Sequence, residues 1–230
     1  GDSKINPQIG KSYVTRASGE LFIDWIDNCD SWVSNQRMLT RFVNAYGVGT
    51  VNEINYSLVE SNNGSDLRFS LEVKENTELI ERTFGTGKKK NNLIVEFQIP
   101  DKKNITFPND VIFPHQFLIE VIENMFGKKK MVSKKVYEGT IIDKYFNISV
   151  FYTNEVIEES KELLPEGVTN KFEKIRMAYY QDNNDVPFME LTAHLNNQGI
   201  VSYFEYDYPQ YSLIMRLKKI SLPNIGCESN

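Results

Sequence analysis

The sequence contains few of the residues that usually build catalytic or metal sites. Its 230 residues include only two cysteines, Cys29 and Cys227, and two histidines, His115 and His194. These four residues are far apart in the sequence, which does not resemble a metal site. The sequence also has no Gly-x-Ser-x-Gly elbow, no GxGxxG motif and no complete phosphate-binding loop. We therefore expect no catalytic residue, no metal and no cofactor, and we interpret both histidines as structural or surface residues.

The sequence has no excess of positive charge and no long apolar run. Its net charge of −5 gives no electrostatic reason to expect nucleic acid as a partner. No apolar run approaches the roughly 20 residues that a membrane-spanning helix needs, so we expect no transmembrane segment. The first residues, Gly1-Asp2-Ser3, lack the features of a signal peptide. If the protein is exported, we expect its signal peptide to have been removed.

The dominant pattern is the alternation of apolar and polar residues that is typical of half-buried β-strands. The clearest apolar series are Leu21/Ile23/Trp25, Ile54/Tyr56/Leu58, Leu67/Phe69/Leu71/Val73, Leu93/Val95/Phe97/Ile99, Phe146/Ile148/Val150/Tyr152, Met189/Leu191/Ala193/Leu195, Ile200/Ser202/Phe204/Tyr206 and Tyr211/Leu213/Met215/Leu217. Short polar or glycine-containing segments separate many of these series, for example Asn62–Ser65, Gly85–Gly87 and Asn196–Gly199, and we expect turns there. The pattern therefore predicts antiparallel meanders.

One segment, residues 114–126, has helical periodicity. Phe113, Phe117, Val121 and Met125 recur every four residues, and Pro114 suits the first turn of a helix. Since no linker or change in composition divides the chain, we expect one domain, residues 1–230, that is all-β with one amphipathic helix. Many of the aromatic residues occupy alternating positions and would line the concave side of a curved, incompletely closed sheet.

Charged segments have simple explanations. The acidic residues Glu155, Glu158, Glu159, Glu162 and Glu166 are predicted to lie in an irregular, solvated linking region. Lysines 88–90 and 128–130 flank predicted turns, and exposed loop charge explains them better than membrane contact.

The two cysteines leave two possibilities open. They could be unrelated reduced thiols, or they could form a disulfide, since two cysteines allow a single intramolecular pairing. A bridge between such distant positions would stabilise the fold by roughly 5 kcal/mol if it were unstrained. A persistent disulfide would imply an oxidising compartment such as a periplasm.

Several short motifs, taken in order, resemble the EipB family of bacterial envelope integrity proteins. They are Gly19-Glu20-Leu21, Cys29-Asp30-Ser31-Trp32, Asn35-Gln36-Arg37, Glu60-Ser61 with Gly64, Leu67-Arg68-Phe69, Phe107-Pro108, Ile112-Phe113-Pro114-His115, Leu222-Pro223 and Cys227. The resemblance implies a periplasmic protein, a spiral-shaped, incompletely closed antiparallel β-sheet and a disulfide between Cys29 and Cys227. It also implies an additional strand before Gly19. Only residues 5–17 are available for it, so we expect this strand to be either shortened or missing. It supplies no catalytic residue.

Two functions follow as hypotheses. The first is a periplasmic, non-enzymatic scaffold or binding protein that supports the cell envelope and holds a lipid, an acyl group or a partner protein in its concave face. The alternative is an enzyme acting on envelope glycan or lipid through carboxylates such as Glu60 and Asp66. Glu60 shares a strand face with Ile54, Tyr56 and Leu58, so burial would raise its pKa.

Overall fold

The computed structural model describes residues 2–5, 14–181, 184–209 and 211–222, which form fifteen strands and one α-helix. The strands build two sheets, of seven and eight strands. The all-β class with one helix is therefore confirmed, and the strands divide between two sheets that do not close into one barrel. Within the described ranges, no helix has both the length and the apolar character that a membrane crossing needs.

The seven-stranded sheet is an antiparallel meander in which each strand pairs with the next along the chain. Its strands are β2 (Val14–Asp27), β3 (Ser31–Asn44), β4 (Gly49–Ser61), β5 (Asp66–Glu75), β6 (Glu78–Lys89), β7 (Leu93–Ile99) and β8 (Lys103–Phe107). The predicted turn at residues 62–65 connects β4 to β5, and Gly64 has the positive φ of 64° that favours glycine there. The alternating pattern thus predicted β2, β4, β5 and β7 of this sheet correctly.

The eight-stranded sheet is formed mainly by the second half of the chain, in the order β1-β15-β14-β13-β12-β11-β10-β9. Its strands are β1 (Asp2–Ile5), β9 (Val111–Ile112), β10 (Met131–Val136), β11 (Phe146–Glu158), β12 (Lys171–Gln181), β13 (Met189–Leu195), β14 (Val201–Asp207) and β15 (Tyr211–Arg216). A strand of four residues, β1, precedes Gly19, but it lies at Asp2–Ile5, ahead of nearly all of residues 5–17, where the strand was expected. The pairing of β9 with β10 is parallel and every other pairing is antiparallel.

Helix α1 (Pro114–Phe126) follows β9 and packs on the eight-stranded sheet. Its buried residues Phe117, Val121 and Met125 join the core of the eight-stranded sheet, beside Ile148 and Ile175. The preceding residue, Phe113, belongs to a second core with Phe69 and Tyr137, on the seven-stranded sheet. The helix boundaries and the position of Pro114 at its start were predicted correctly, and Gly127 is the C-cap.

The prediction of a turn at Gly85-Thr86-Gly87 is wrong, because these residues lie inside β6. A Cβ atom at position 85 would lie 2.5 Å from the Phe69 ring, and one at position 87 would lie 3.3 Å from the Phe113 ring. The two glycines therefore leave room for aromatic rings that pack over the strand.

The prediction that the acidic run lies in an irregular linker is also wrong in part. Glu155 and Glu158 lie within β11, which extends to Glu158, and Glu162 lies in the short 3₁₀ helix Lys161–Leu163. Glu155 forms an ion pair with Lys174 of β12 at 3.0 Å. A cross-strand ion pair allows a strand to carry this charge at its exposed end.

Candidate functional site

The inner face of the seven-stranded sheet, which looks toward the helix and the other sheet, gathers most of the predicted site residues. Trp32 of β3 lies directly opposite Asp27 of β2 on one side and Glu60 of β4 on the other. Gln36 of β3 lies directly opposite Ile23 of β2 and Tyr56 of β4 in the same way. Side chains directly opposite one another in antiparallel strands point to the same face. The inner face therefore carries Trp32, Glu60, Tyr56 and Gln36, whereas Arg37 lies on the outer face, where it pairs with Glu53 at 2.9 Å.

Glu60 caps the helix from a strand that precedes it by more than fifty residues. One carboxylate oxygen accepts the backbone N–H of His115 at 2.7 Å, and the other accepts that of Gln116 at 3.0 Å. These N–H groups lie in the first turn, where no intrahelical acceptor exists and where the helix dipole favours negative charge. Phe113, at the N-cap, has no capping side chain, so Glu60 takes over that role.

Burial gives the Glu60 carboxyl an unusual pKa. The side chain is 2% exposed. Loss of hydration raises its pKa to about 7, while the two backbone hydrogen bonds oppose this rise. The sequence-based inference of a raised pKa on a buried face therefore agrees with the structure. Both oxygens, however, are engaged in holding the helix.

His115 lies between the two tryptophans of the chain. Its ring stacks on Trp32 with a centroid distance of 4.3 Å and lies 5.8 Å from the ring of Trp25. The side chain is 8% exposed, and burial lowers its pKa to about 4, so the ring is neutral at pH 7. Among the described residues, neither ring nitrogen has a hydrogen-bond partner, and the same holds for Nε1 of Trp25.

Ser61 organises the adjacent turn. Its hydroxyl oxygen accepts the backbone N–H groups of Ser65 at 3.1 Å and Asp66 at 2.9 Å. A Cβ atom on Gly64 would lie 2.9 Å from Oε1 of Gln116, so this turn packs closely against the start of the helix. Four of the family-motif residues, Trp32, Glu60, Ser61 and Pro114, therefore meet at the helix N-terminus.

Cys29 lies at the exposed tip of the β2–β3 hairpin, next to the same turn. It has a φ of 65°, and its backbone N–H donates to the Asp27 carboxylate at 2.9 Å. Cys227 and Pro223 lie outside the described residues, so the disulfide remains a prediction. Leu222 is 51% exposed and lines a surface groove of about 440 Å³ with Leu163, Pro165 and Ile220.

The carboxylates of the enzyme hypothesis point away from each other. Glu60 pairs in register with Leu67, whose side chain is buried on the inner face. Asp66 precedes Leu67 by one residue, so its exposed side chain points to the outer face. The two carboxylates therefore cannot act on one substrate from the same side of the sheet. Within the described ranges, no group of three or more histidine, cysteine, aspartate or glutamate residues could hold a metal ion.

Further along the inner face, the sheet presents apolar side chains that neither core covers. We call the set Leu21, Ile23, Met38, Ile54 and Val73 the apolar strip. All five share one face by register, all are partly exposed, and none belongs to either described core. Ile23 is 41% exposed although it points inward. The apolar strip is therefore a part of the inner face where apolar side chains keep some exposure to solvent.

The sequence reasoning missed one inward-facing carboxylate, Glu138, in the connection between β10 and β11. The hydroxyl of Tyr56, at the end of the apolar strip, donates to its backbone carbonyl. Burial raises the pKa of its side chain to about 7. No periodicity marks this connection, and the contact with Tyr56 spans 82 residues, so the sequence carries no local signal for it.

Comparison with known proteins agrees with this geometry. The model of the EipB-like family matches residues 4–223. A solved structure, the β-barrel-like protein of the domain of unknown function DUF1849 from Brucella abortus, superposes with a TM-score of 0.87 at 18% sequence identity, over 95% of this chain and 93% of that one. No curated protein matches. The chain belongs to the EipB-like family.

Proposed function

We propose that this protein is a non-enzymatic, periplasmic binding protein that supports the cell envelope by holding the acyl chain of an amphiphile against the apolar strip. The observation that carries the proposal is the partial exposure of five apolar, inward-facing side chains that neither core covers. Burying such side chains against an acyl chain is favourable by about 25 cal/mol per Å² of apolar surface. The periplasmic location rests on the family, whose members are generally periplasmic.

A binding role without catalysis fits the state of the carboxylates better than an enzymatic role. Both oxygens of Glu60 accept backbone hydrogen bonds from the helix, so protonation of this carboxylate in a reaction would weaken the contact that caps the helix. Asp66 lies on the opposite face of the sheet. These positions support a binding role over an enzyme that would use Glu60 and Asp66 together.

Titration with a fluorescent fatty-acid analogue tests the proposal. Ile54→Trp places a larger side chain in the apolar strip and is expected to weaken binding by about tenfold or more, since a loss of about 1.4 kcal/mol suffices. Asn55→Trp is the matched control, because Asn55 lies on the outer face of the same strand. Its affinity is expected to remain within about twofold of that of the unmodified protein.

Two results would reject the proposal. One is the absence of saturable binding to the unmodified protein. The other is equal loss of binding in both tryptophan variants, which would place the site elsewhere or indicate general unfolding. A folded protein that binds no acyl chain would favour the alternative occupant of the concave face, a partner protein.

A further inference from the structure

A small cavity of about 110 Å³ lies where β14 begins and β15 ends, on the eight-stranded sheet. It is lined by Glu159, Ser202 and Arg216 together with Leu163 and Leu217. Leu163 also lines the groove of about 440 Å³ described above, so the two cavities adjoin. The small cavity therefore combines a carboxylate, a hydroxyl, a guanidinium and an apolar wall, and it lies apart from the apolar strip, which belongs to the other sheet.

A β-bulge contributes one of the polar groups. The register between β13 and β14 skips Ser202, so this residue is the extra one of the bulge. Ser202 is 4% exposed, and its hydroxyl donates to Oε1 of Glu159 at 2.9 Å. The backbone of Glu159 is also fixed, because its N–H donates to the carbonyl of Asn170 at 2.9 Å. The carboxylate is thus held in place, while its Oε2 has no hydrogen bond within the described ranges.

The two charged groups that line the cavity have no cationic or anionic partner in the part of the chain that the structure describes. Nδ1 of His194 lies 3.7 Å from Oε1 of Glu159, but burial lowers the pKa of this histidine, so its ring is neutral at pH 7. The guanidinium of Arg216 lies over the ring of Tyr203, 5.0 Å from its centroid, and forms no ion pair, not even with Glu159. Glu159 is partly exposed and Arg216 is exposed, so a ligand can reach both.

We propose that this cavity binds a free α-amino acid with an apolar side chain, its ammonium group on Glu159 and its carboxylate on Arg216. An α-amino acid carries both charges on one carbon atom, which suits two opposite, separate charges in a cavity of this size. Arginine pairs with carboxylates through two parallel hydrogen bonds, and a fixed carboxylate is a strong acceptor for an ammonium group. Leu163 and Leu217 provide the apolar contact for the side chain, which can extend into the adjoining groove. The inference is independent of the acyl-binding function.

Leucine, leucinamide and N-acetylleucine test the two charged contacts separately. Leucinamide lacks the carboxylate, and N-acetylleucine lacks the ammonium group. Isothermal titration calorimetry with the full chain at pH 7 and low ionic strength measures the affinity of each, since salt weakens contacts between exposed charges. Each derivative is expected to bind about tenfold more weakly than leucine, because it loses a hydrogen bond between charged partners.

Two substitutions assign each charge of the ligand to its contact. In Glu159→Gln, N-acetylleucine is expected to bind within about twofold of leucine, while the preference for leucine over leucinamide remains. In Arg216→Met, leucinamide is expected to bind within about twofold of leucine, while the preference for leucine over N-acetylleucine remains. The controls Glu158→Gln and Arg176→Met remove the same charges from exposed positions of β11 and β12, and both are expected to keep the two preferences.

The loss of one preference in each variant, as described, supports the proposal, and any other pattern in folded variants overturns it. With the unmodified protein, the proposal is overturned if leucine shows no saturable binding, or if either derivative binds as tightly as leucine. Circular dichroism shows whether each variant is folded. If Glu159→Gln does not fold, the three ligands with the unmodified protein and with Arg216→Met still decide the outcome.

Discussion

Replacing Glu60 with alanine removes both acceptors that β4 offers to the first turn of α1. The N–H groups of His115 and Gln116 would then be left without their acceptors in a buried environment, since the helix supplies none at its first turn. Two buried donors that lose a charged partner cost about 1–3 kcal/mol each. Partial relaxation of the site lowers the sum, so we expect a loss of about 2–4 kcal/mol in the free energy of unfolding.

Urea denaturation monitored by tryptophan fluorescence measures this loss at the site itself. The two tryptophans of the chain, Trp25 and Trp32, both contact the His115 ring, so their emission reports on the helix N-terminus. For a protein of this size, the expected loss corresponds to a fall of roughly 5–15 °C in the melting temperature. Glu60→Gln keeps one carbonyl acceptor, so its free energy of unfolding is expected to lie between those of the unmodified protein and the alanine variant.

Glu96→Ala, on the exposed side of β7, serves as the control and is expected to change the free energy of unfolding by less than about 0.5 kcal/mol. If Glu60→Ala changed it as little as the control does, Glu60 would not hold the helix. Unchanged tryptophan emission in a strongly destabilised Glu60→Ala variant would also contradict the reasoning, because the helix would then keep its position beside Trp32.

Three further predictions concern the same architecture. Burial lowers the pKa of His115 to about 4, so the folded protein favours the neutral ring, and this stabilisation is lost as the pH falls from 6.5. Burial raises the pKa of Glu60 to about 7, so the folded protein favours the protonated carboxyl, and this stabilisation is lost as the pH rises from 4.5. In His115→Phe only the Glu60 effect remains, so the free energy of unfolding is expected to fall by up to about 3 kcal/mol from pH 4.5 to 6.5. In Glu60→Gln only the His115 effect remains, so it is expected to rise by up to about 3 kcal/mol over the same range. Urea midpoints that change with pH in the same direction in both variants would contradict these opposite signs. Gly85→Ala is expected to lower the free energy of unfolding by about 1–3 kcal/mol in thermal unfolding, because its Cβ would lie 2.5 Å from the Phe69 ring. Gly49→Ala, whose Cβ would lie 3.5 Å from its nearest neighbour, is expected to lower it less. The reverse order would show that Phe69 can move away. Cys29→Ser is expected to lower the free energy of unfolding by several kcal/mol, as reduction of the unmodified protein should, and equal melting temperatures with and without reductant would contradict the predicted disulfide.

The local pattern in the sequence predicted eight of the fifteen described strands, the helix and one feature of the site. Alternation predicted that Glu60 shares a buried face with Ile54, Tyr56 and Leu58, and the register confirms it. Alternation describes only one strand at a time, however. It could not show that this carboxylate meets the backbone of His115, which lies 55 residues further along the chain.

The wrong predictions arise from the same limitation. Gly85 and Gly87 read as turn residues because glycine favours turns, yet here they accommodate the rings of Phe69 and Phe113, which come from distant parts of the chain. Glu138 lies in an aperiodic connection, and its backbone carbonyl accepts a hydrogen bond from the hydroxyl of Tyr56, which lies 82 residues earlier in the chain. Contacts between residues that are distant in the sequence determine the structure at these positions. A short stretch of sequence carries no information about such contacts.

Mass spectrometry of the protein purified natively from a periplasm tests the central claim most directly. Acyl-chain binding at the apolar strip predicts that an amphiphile co-purifies with the unmodified protein and is depleted from the Ile54→Trp variant. Asn55→Trp, altered on the outer face of the same strand, is expected to retain it. A folded protein that carries no amphiphile, or equal amounts in both variants, would contradict the claim that this face binds a ligand.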